Sequence, residues 1–402
     1  MKKNFRKKVL KNGLTILYEK RDLPIVSVAF AVRAGGINET PEEKGISHFI
    51  EHMLYKGTPT RNWKKIAEEI EKNGGKLNGF TSEEVTAYFC KMPSEKLEIA
   101  LGVLTDMVKN PLFDGKELEK ERQVIFEEIK LHKDNPSRYV LDEIQKSLYT
   151  GAKGMNLAGN YETMKAIDRK KIVQKFKEIY VPGNIVLCIV GKADFKKITD
   201  FAEKNFSSGK GKIPEQKFSQ KNEIRTEKRK GIDQASLVFA YHVPTAGDEE
   251  NYSAQVLSAL MSEGMSSRLF SEIREKRNLA YAVEGDCDIG KRYAYNFVYV
   301  GTNKKNAEKV KEIIVEEFKK ITEYLGKKEF EEIKNQLVGL YKIGMEDSQS
   351  QMINLLVSEI HGEAEEFYDY AEKIKKVKIE DVKKLAKKVA DGNYSFFALL
   401  PE

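Results

Sequence analysis

The sequence predicts an α+β chain of two homologous domains, each a mainly antiparallel sheet with helices packed on one face. Short apolar runs of strand length, such as residues 25–32 and 185–190, alternate with longer segments of helical period. The same order of elements recurs after a polar stretch in the middle of the chain. A length of 402 residues leaves room for about two domains, each with its own core. The boundaries expected are 1–206 for the first domain, 207–230 for a linker and 231–402 for the second.

The first domain opens with a hairpin over residues 9–18, turning at Asn12-Gly13. Residues 25–32 form an apolar strand, and Gly35-Gly36 turns the chain into a helix. That helix is expected to start near Pro41, with Thr40 as N-cap and Glu43 completing a capping box. A second helix, 63–70, stops at Gly74-Gly75. Strands at 76–80 and 85–91 follow, then a helix at 94–108 with Leu97, Leu101, Leu104 and Val108 on one face. Asp114 and Glu117 cap an acid-rich helix that runs to about His132, where Asn135-Pro136 breaks it. Helices near 139–148 and 169–179, a strand at 185–190 and a helix at 195–206 complete the domain. Residues 207–230 are mostly Ser, Gly, Lys and Gln with little apolar content, as a linker is.

Beyond the linker, an apolar strand at 235–241 answers the one at 25–32. A helix at 251–261 takes the place of the helix after Pro41 but carries no histidine. A strand at 293–301, helices at 306–324 and 328–345, and a closing strand at 395–400 finish the repeat. Two domains of similar layout point to a duplicated ancestor.

Composition narrows the function. Hydrophobic residues make up 41% and charged residues 33%, as in a globular chain with an ion-paired surface. The net charge of +7 is spread out, with no basic cluster interleaved with aromatics, so nucleic acid is not an expected partner. No apolar segment follows the basic stretch at residues 1–8, and the longest apolar run, 185–190, is too short to span a bilayer. Cys90, Cys188 and Cys287 are far apart; the first two sit in apolar runs, as buried free thiols do in a reducing compartment. A cytoplasmic location with no membrane partner is expected.

The chemistry centres on His48-Phe49-Ile50-Glu51-His52. Two histidines four apart lie on one helix face and can share a metal. Glu51 projects close to the same face, where a carboxylate can take a proton from an attacking water. His-x-x-Glu-His is the inverse of the commoner zinc motif. With only five histidines in the chain, chance supplies such a match roughly 0.01 times. Apolar Ile46, Phe49, Ile50, Met53 and Leu54 mark the helix as largely buried, against the plainer reading of two surface histidines.

Two histidines need a third protein ligand, often a carboxylate. The acid-rich helix offers several. Glu117, Glu121, Val124, Ile125, Glu128 and His132 share one face; Lys120, Gln123, Glu127 and Lys130 share a polar one. Glu128 is therefore chosen over Glu127, with Glu121 as an acid that supports a ligand. The plainer reading of Glu121 is an ordinary ion pair.

At this point the sequence resembles the pitrilysin/insulinase family of zinc peptidases. It is most similar to the half-length branch that includes the mitochondrial processing peptidase and bacterial processing proteases. The family's third ligand lies about 76 residues after the second histidine, which lands on Glu128, and a Glu seven residues earlier matches Glu121. Residues 74–81, Gly-Gly-Lys-Leu-Asn-Gly-Phe-Thr, resemble the strand that pairs with the substrate backbone, with Gly79 where Ala is usual. Ser266 to Phe270 and the pair Arg274 and Tyr281 match motifs of the second domain, although Ser262-Glu263 stand where relatives often carry glycines. The plainer reading of the pair is one charge in a charged helix and one core aromatic.

The resemblance implies a zinc endopeptidase with one Zn²⁺ per subunit, held by His48, His52 and Glu128. Glu51 would be the general base, Arg274 and Tyr281 would hold the substrate carbonyl, and Asn78, Gly79, Phe80 and Thr81 would pair with substrate. It further implies peptides or unfolded polypeptide as substrate and a closed chamber between two halves, made by a homodimer or with a zinc-free homologous partner chain. The other classes in play are a non-catalytic structural subunit and a peptide-binding subunit of the same fold; the intact ligand set and Glu51 argue against both.

Overall fold

The computed structural model describes residues 4–207, 209 and 211–402. Met1 to Lys3 of the basic N-terminal stretch, and Ser208 and Lys210 of the expected linker, lie outside the described residues. The chain divides into two compact units, one of Met1–Ile129, Asn156–Lys217 and Gly344–Tyr368, the other of Lys130–Met155, Phe218–Ile343 and Asp369–Glu402. Each unit thus takes a segment from the opposite half of the chain, an exchange that boundaries at 206 and 231 do not contain.

Six strands build the first sheet: β1 (Phe5–Val9), β2 (Thr15–Lys20), β3 (Ile25–Val32), β4 (Lys76–Thr81), β5 (Thr86–Pro93) and β6 (Ile185–Gly191). Their spatial order is β1-β2-β6-β3-β5-β4. Only β2 and β6 run parallel; every other neighbouring pair is antiparallel. Helices Ile46–Leu54, Leu97–Lys109 and Arg169–Ile179 cover one face through Ile46, Phe49, Leu101, Leu104 and Ile172. The opposite face carries helix Ser348–His361. Its Met352, Leu355, Leu356 and Ile360 pack on Leu17, Ala29, Ala31, Val186 and Cys188. Arg33 holds this helix by an ion pair to Glu359 at 2.9 Å, and Gln351 donates to Glu19 at 2.8 Å.

The second unit repeats the plan with five strands: β7 (Ile224–Arg229), β8 (Ala235–His242), β9 (Ala280–Ile289), β10 (Ala294–Thr302) and β11 (Ser395–Pro401). Their order, β7-β11-β8-β10-β9, is that of β2-β6-β3-β5-β4, again with one parallel pair followed by antiparallel ones. The duplication read from the apolar strands therefore extends to the edges. β7 lies inside the expected linker. It pairs on one side only and alternates exposed and half-buried positions, so it needs no apolar run. Helices Asn251–Ser262, Ala307–Glu323 and Ile379–Ala390 pack on the face that carries Leu237, Phe239 and Phe396. Pro136–Leu148 lies against β8 and β11, with the Tyr139 ring 6.2 Å from Phe397 on the other face.

Cys90 and Cys188 are buried, Cys287 is half-buried, and all three are free thiols. Among the described residues no helix is long and apolar enough to cross a membrane.

Candidate metal centre

The helix that carries both histidines spans Ile46–Leu54, so it does not begin near Pro41. Pro41–Glu43 forms a separate 3-10 turn, inside which Thr40 N–H donates to Glu43 at 3.3 Å. The interruption is Gly45, whose φ of +96° suits glycine alone, and a Cβ there would lie 2.5 Å from Met164 and 2.6 Å from the Ala158 carbonyl. Glu39 then caps the true helix. Its carboxylate accepts from Gly45 N–H at 2.9 Å and Ser47 N–H at 2.7 Å. Glu39 is fully buried, and burial raises its pKa against the lowering pull of Lys44 and those two N–H groups. This short start places His48 in the first turn of the helix, facing the acid-rich helix Gly115–Asp134.

That helix turns Leu118, Glu121, Arg122 and Ile125 inward. Val124, expected on the same face as Glu121 and Glu128, is 48% exposed: the inward stripe follows the i, i+3, i+4, i+7 spacing from Leu118, which leaves position 124 outside it. Glu127 is exposed, whereas the Glu128 side chain is about one-third exposed at the edge of the stripe.

His48, His52 and Glu128 converge, with one ligand atom from each inside a 4.8 Å sphere of mutual distance. A Glu128 oxygen lies 3.5 Å from His48 Nε2 and 3.6 Å from His52 Nε2. A tetrahedral zinc with ligands at about 2.0–2.2 Å holds neighbouring ligand atoms about 3.4 Å apart, so the donor set and its spacing fit that ion. The imidazoles meet edge to face with centroids 4.6 Å apart. Glu121 stands behind His52, its Oε2 3.2 Å from Nδ1 and its Oε1 2.5 Å from Lys56 Nζ. Burial raises the Glu121 pKa, but its hydrogen bonds to His52 and Lys56 and their charges more than reverse this. A carboxylate on Nδ1 fixes the tautomer that turns Nε2 toward Glu128.

Glu51 sits beside the trio, and its Oε2 accepts from Thr81 Oγ1 at 3.3 Å. Burial pushes its carboxyl pKa up, against the lowering influence of His52 and Thr81, and the Glu128 charge adds to the rise. A carboxyl group beside a metal site can take a proton from an attacking water and return it to a leaving group. Thr81 ends β4, the outer strand of its sheet, so the residues expected to meet substrate also touch the expected base. β4 runs unbroken through Asn78, Gly79 and Phe80, with Gly79 opposite Tyr88.

Arg274 and Tyr281 belong to the second unit. Arg274 ends a π-helical turn, Phe270–Glu275, with its guanidinium 4.8 Å over the Phe270 ring. Tyr281 opens the outer strand β9 and lies 57% exposed against Gly301, where a Cβ would come within 2.4 Å of its ring. Both line a cavity of about 480 Å³ with Ser262, Glu263 and Glu284. Exposure of that order excludes the core-aromatic reading of Tyr281. Glu39 and Lys56 support the site and are residues that sequence reasoning missed. Lys56 had a legible signal in its i+4 spacing from His52; Glu39 had none, because the break at Gly45 hides its capping role.

The Insulinase (Peptidase family M16) model matches residues 15–160, and the Peptidase M16 inactive domain model matches residues 166–337. An uncharacterized zinc protease of Bacillus subtilis is 32% identical over 399 residues, covering 97% of each chain. One of Rickettsia felis is 34% identical over 344 residues, covering 84% of this chain and 83% of that one. The crystal structure of a protease from Helicobacter pylori superposes with a TM-score of 0.92 at 22% identity over 99% of both chains, which shows a common fold. A motif-bearing first half and a second half without histidines at the matching helix agree with this pairing of domains, and the chain belongs to the pitrilysin/insulinase family, peptidase family M16.

Proposed function

We propose that this chain is a zinc-dependent endopeptidase that cuts peptides or unfolded polypeptide segments, with Glu51 as general base. The observation that carries the reading is the meeting of His48, His52 and Glu128 at zinc-ligand spacing with Glu51 beside them. When bound, zinc would supply Lewis acidity toward water and the scissile carbonyl. Glu51 takes the proton of the attacking water and returns it to the leaving amine. Thr81 orients Glu51, and Glu121 orients His52. The open edge of β4 offers backbone N–H and C=O groups to an extended peptide, which binds as an added strand beside Glu51.

The reading extends to assembly. Two subunits enclose the substrate in a chamber, and Arg274 and Tyr281 of one subunit serve the zinc site of the other, where the guanidinium meets the charge that develops on the carbonyl oxygen. A zinc-free homologous chain supplying the same pair is the competing arrangement. Glu51→Gln tests the chemistry. It should keep bound zinc and lose peptide cleavage by roughly 10²–10⁴-fold. Near wild-type turnover in that variant would remove Glu51 as the base, and a wild-type chain that binds no zinc would remove the peptidase reading itself.

A further inference from the structure

Tyr55 ends the motif helix, and its phenol points back beneath the outer strand of the sheet. The hydroxyl oxygen is buried and has no hydrogen-bond partner among the described residues. Such an orphan is costly, and native folds hold few of them without a reason in their chemistry. The neighbouring phenols do not relieve it. Tyr88 and Tyr180 bond to each other, hydroxyl to hydroxyl, at 2.8 Å, and Tyr55 meets Tyr88 only ring to ring, with centroids 6.1 Å apart.

What the hydroxyl does face is set by Gly79. A Cβ on residue 79 would lie 2.3 Å from the Tyr55 oxygen and 3.2 Å from Glu51 Oε1. The phenol oxygen thus fills the space that any side chain at 79 would claim, and from there it looks across to the free oxygen of the expected base. The other oxygen of Glu51 is already held by Thr81. Glycine at 79 is therefore required twice over: the same Cβ would also press to 2.9 Å on the Ala87 carbonyl across the strand pair.

We infer that Tyr55 is a positioning residue for Glu51, reaching it through the gap at Gly79 and donating its O–H to Oε1, directly or through one water. With Thr81 on Oε2 and Tyr55 on Oε1, the carboxylate is fixed at both ends as it takes the proton of the attacking water. That proton ends on Glu51 and then on the leaving amine; Tyr55 keeps its own. The inference rests on the peptidase reading above.

The test compares wild type and Tyr55→Phe as zinc-loaded full chains on a quenched fluorogenic peptide that wild type cuts. The expected result is a kcat about tenfold lower, with KM, zinc content and the circular-dichroism spectrum of the folded protein unchanged. Tyr55→Phe should lower kcat in the wild-type background and add little in the Glu51→Gln background, because the hydroxyl acts only through that carboxylate. A kcat within twofold of wild type, a kcat loss that tracks lost zinc or lost folded structure, or additive effects of the two substitutions would each overturn the role. If wild type itself cuts no peptide in a library digest, the peptidase reading fails instead.

Discussion

Removing the charge behind His52 should loosen the metal without touching a ligand. Glu121 makes two charge-assisted contacts, 3.2 Å to His52 Nδ1 and 2.5 Å to Lys56 Nζ. In Glu121→Gln the amide keeps one oxygen, which Lys56 can claim, and turns an N–H₂ toward a nitrogen that must itself donate. A hydrogen bond to a charged group is worth about 1.5–3 kcal/mol against about 1 for a neutral pair, so the difference is roughly 0.5–2 kcal/mol. At 1.4 kcal/mol per decade this weakens zinc binding by roughly 2–30-fold, and partners of this kind typically cost 10–100-fold, which favours the upper part of that range. Competition against a chromophoric chelator at fixed pH and salt reads the dissociation constant directly. Glu127→Gln is the control, because Glu127 lies on the same helix but faces water. A dissociation constant for Glu121→Gln within twofold of wild type would mean that the helix alone orients His52 and that Glu121 is an ordinary ion pair with Lys56.

The same titration should show Glu128→Gln losing zinc far more severely than Glu121→Gln, and Glu127→Gln not at all; the reverse order of 127 and 128 would put the third ligand on the wrong face. Homodimers of Glu51→Gln and of Arg274→Ala should each be poorly active, yet regain activity on subunit exchange, because one site of the mixed dimer is then whole; exchange shown by tagged pull-down without activity would rule out the trans arrangement. Asp106 accepts from Thr58, Thr60, Arg61 and Asn110 at 2.6–2.9 Å and pins the loop after the motif helix. Burial raises its pKa, but those bonds more than reverse this and hold it down at about 2. A depressed carboxyl contributes stability above its unfolded value of 3.8 and loses it as pH falls through the folded value. Asp106→Asn should therefore cost about 2 kcal/mol at pH 7 by urea unfolding, with the gap to wild type closing between about pH 4 and pH 2; a gap that stays constant across that window would show that the charge contributes nothing.

The sequence made the metal site readable because it is written in helical phase. His48 to His52 and the choice of Glu128 over Glu127 both follow from which side of a helix a residue occupies, and the structure brings those three together. The helix start was not readable in the same way. Thr40, Pro41 and Glu43 do form their turn, but Gly45 breaks it from the helix, and a glycine in a helical pattern does not announce its φ. Central strands β3, β6, β8 and β11 were legible as apolar runs. The edge strands β7 and β9 were not, since a strand paired on one side needs few apolar residues, and β9 carries Glu284, Asp286 and Asp288. Helix Ser348–His361 has a clear apolar stripe, but a stripe says only that something must cover it, never which sheet.

That helix and its counterpart, Pro136–Leu148, set the order in which the molecule can be finished during synthesis. Leu17, Ala29, Ala31 and Val186 are all translated long before residue 352, yet it is Met352 and its neighbours that cover them. The first sheet must wait, with one face open to water and to chaperones, until residues 348–361 have left the ribosome. Truncation before residue 348 therefore strips the cover from the sheet that carries the motif helix, far from any ligand in sequence. For the same reason the two halves, expressed separately, should recover a native first sheet only when residues 344–368 are supplied in trans or grafted onto the first half.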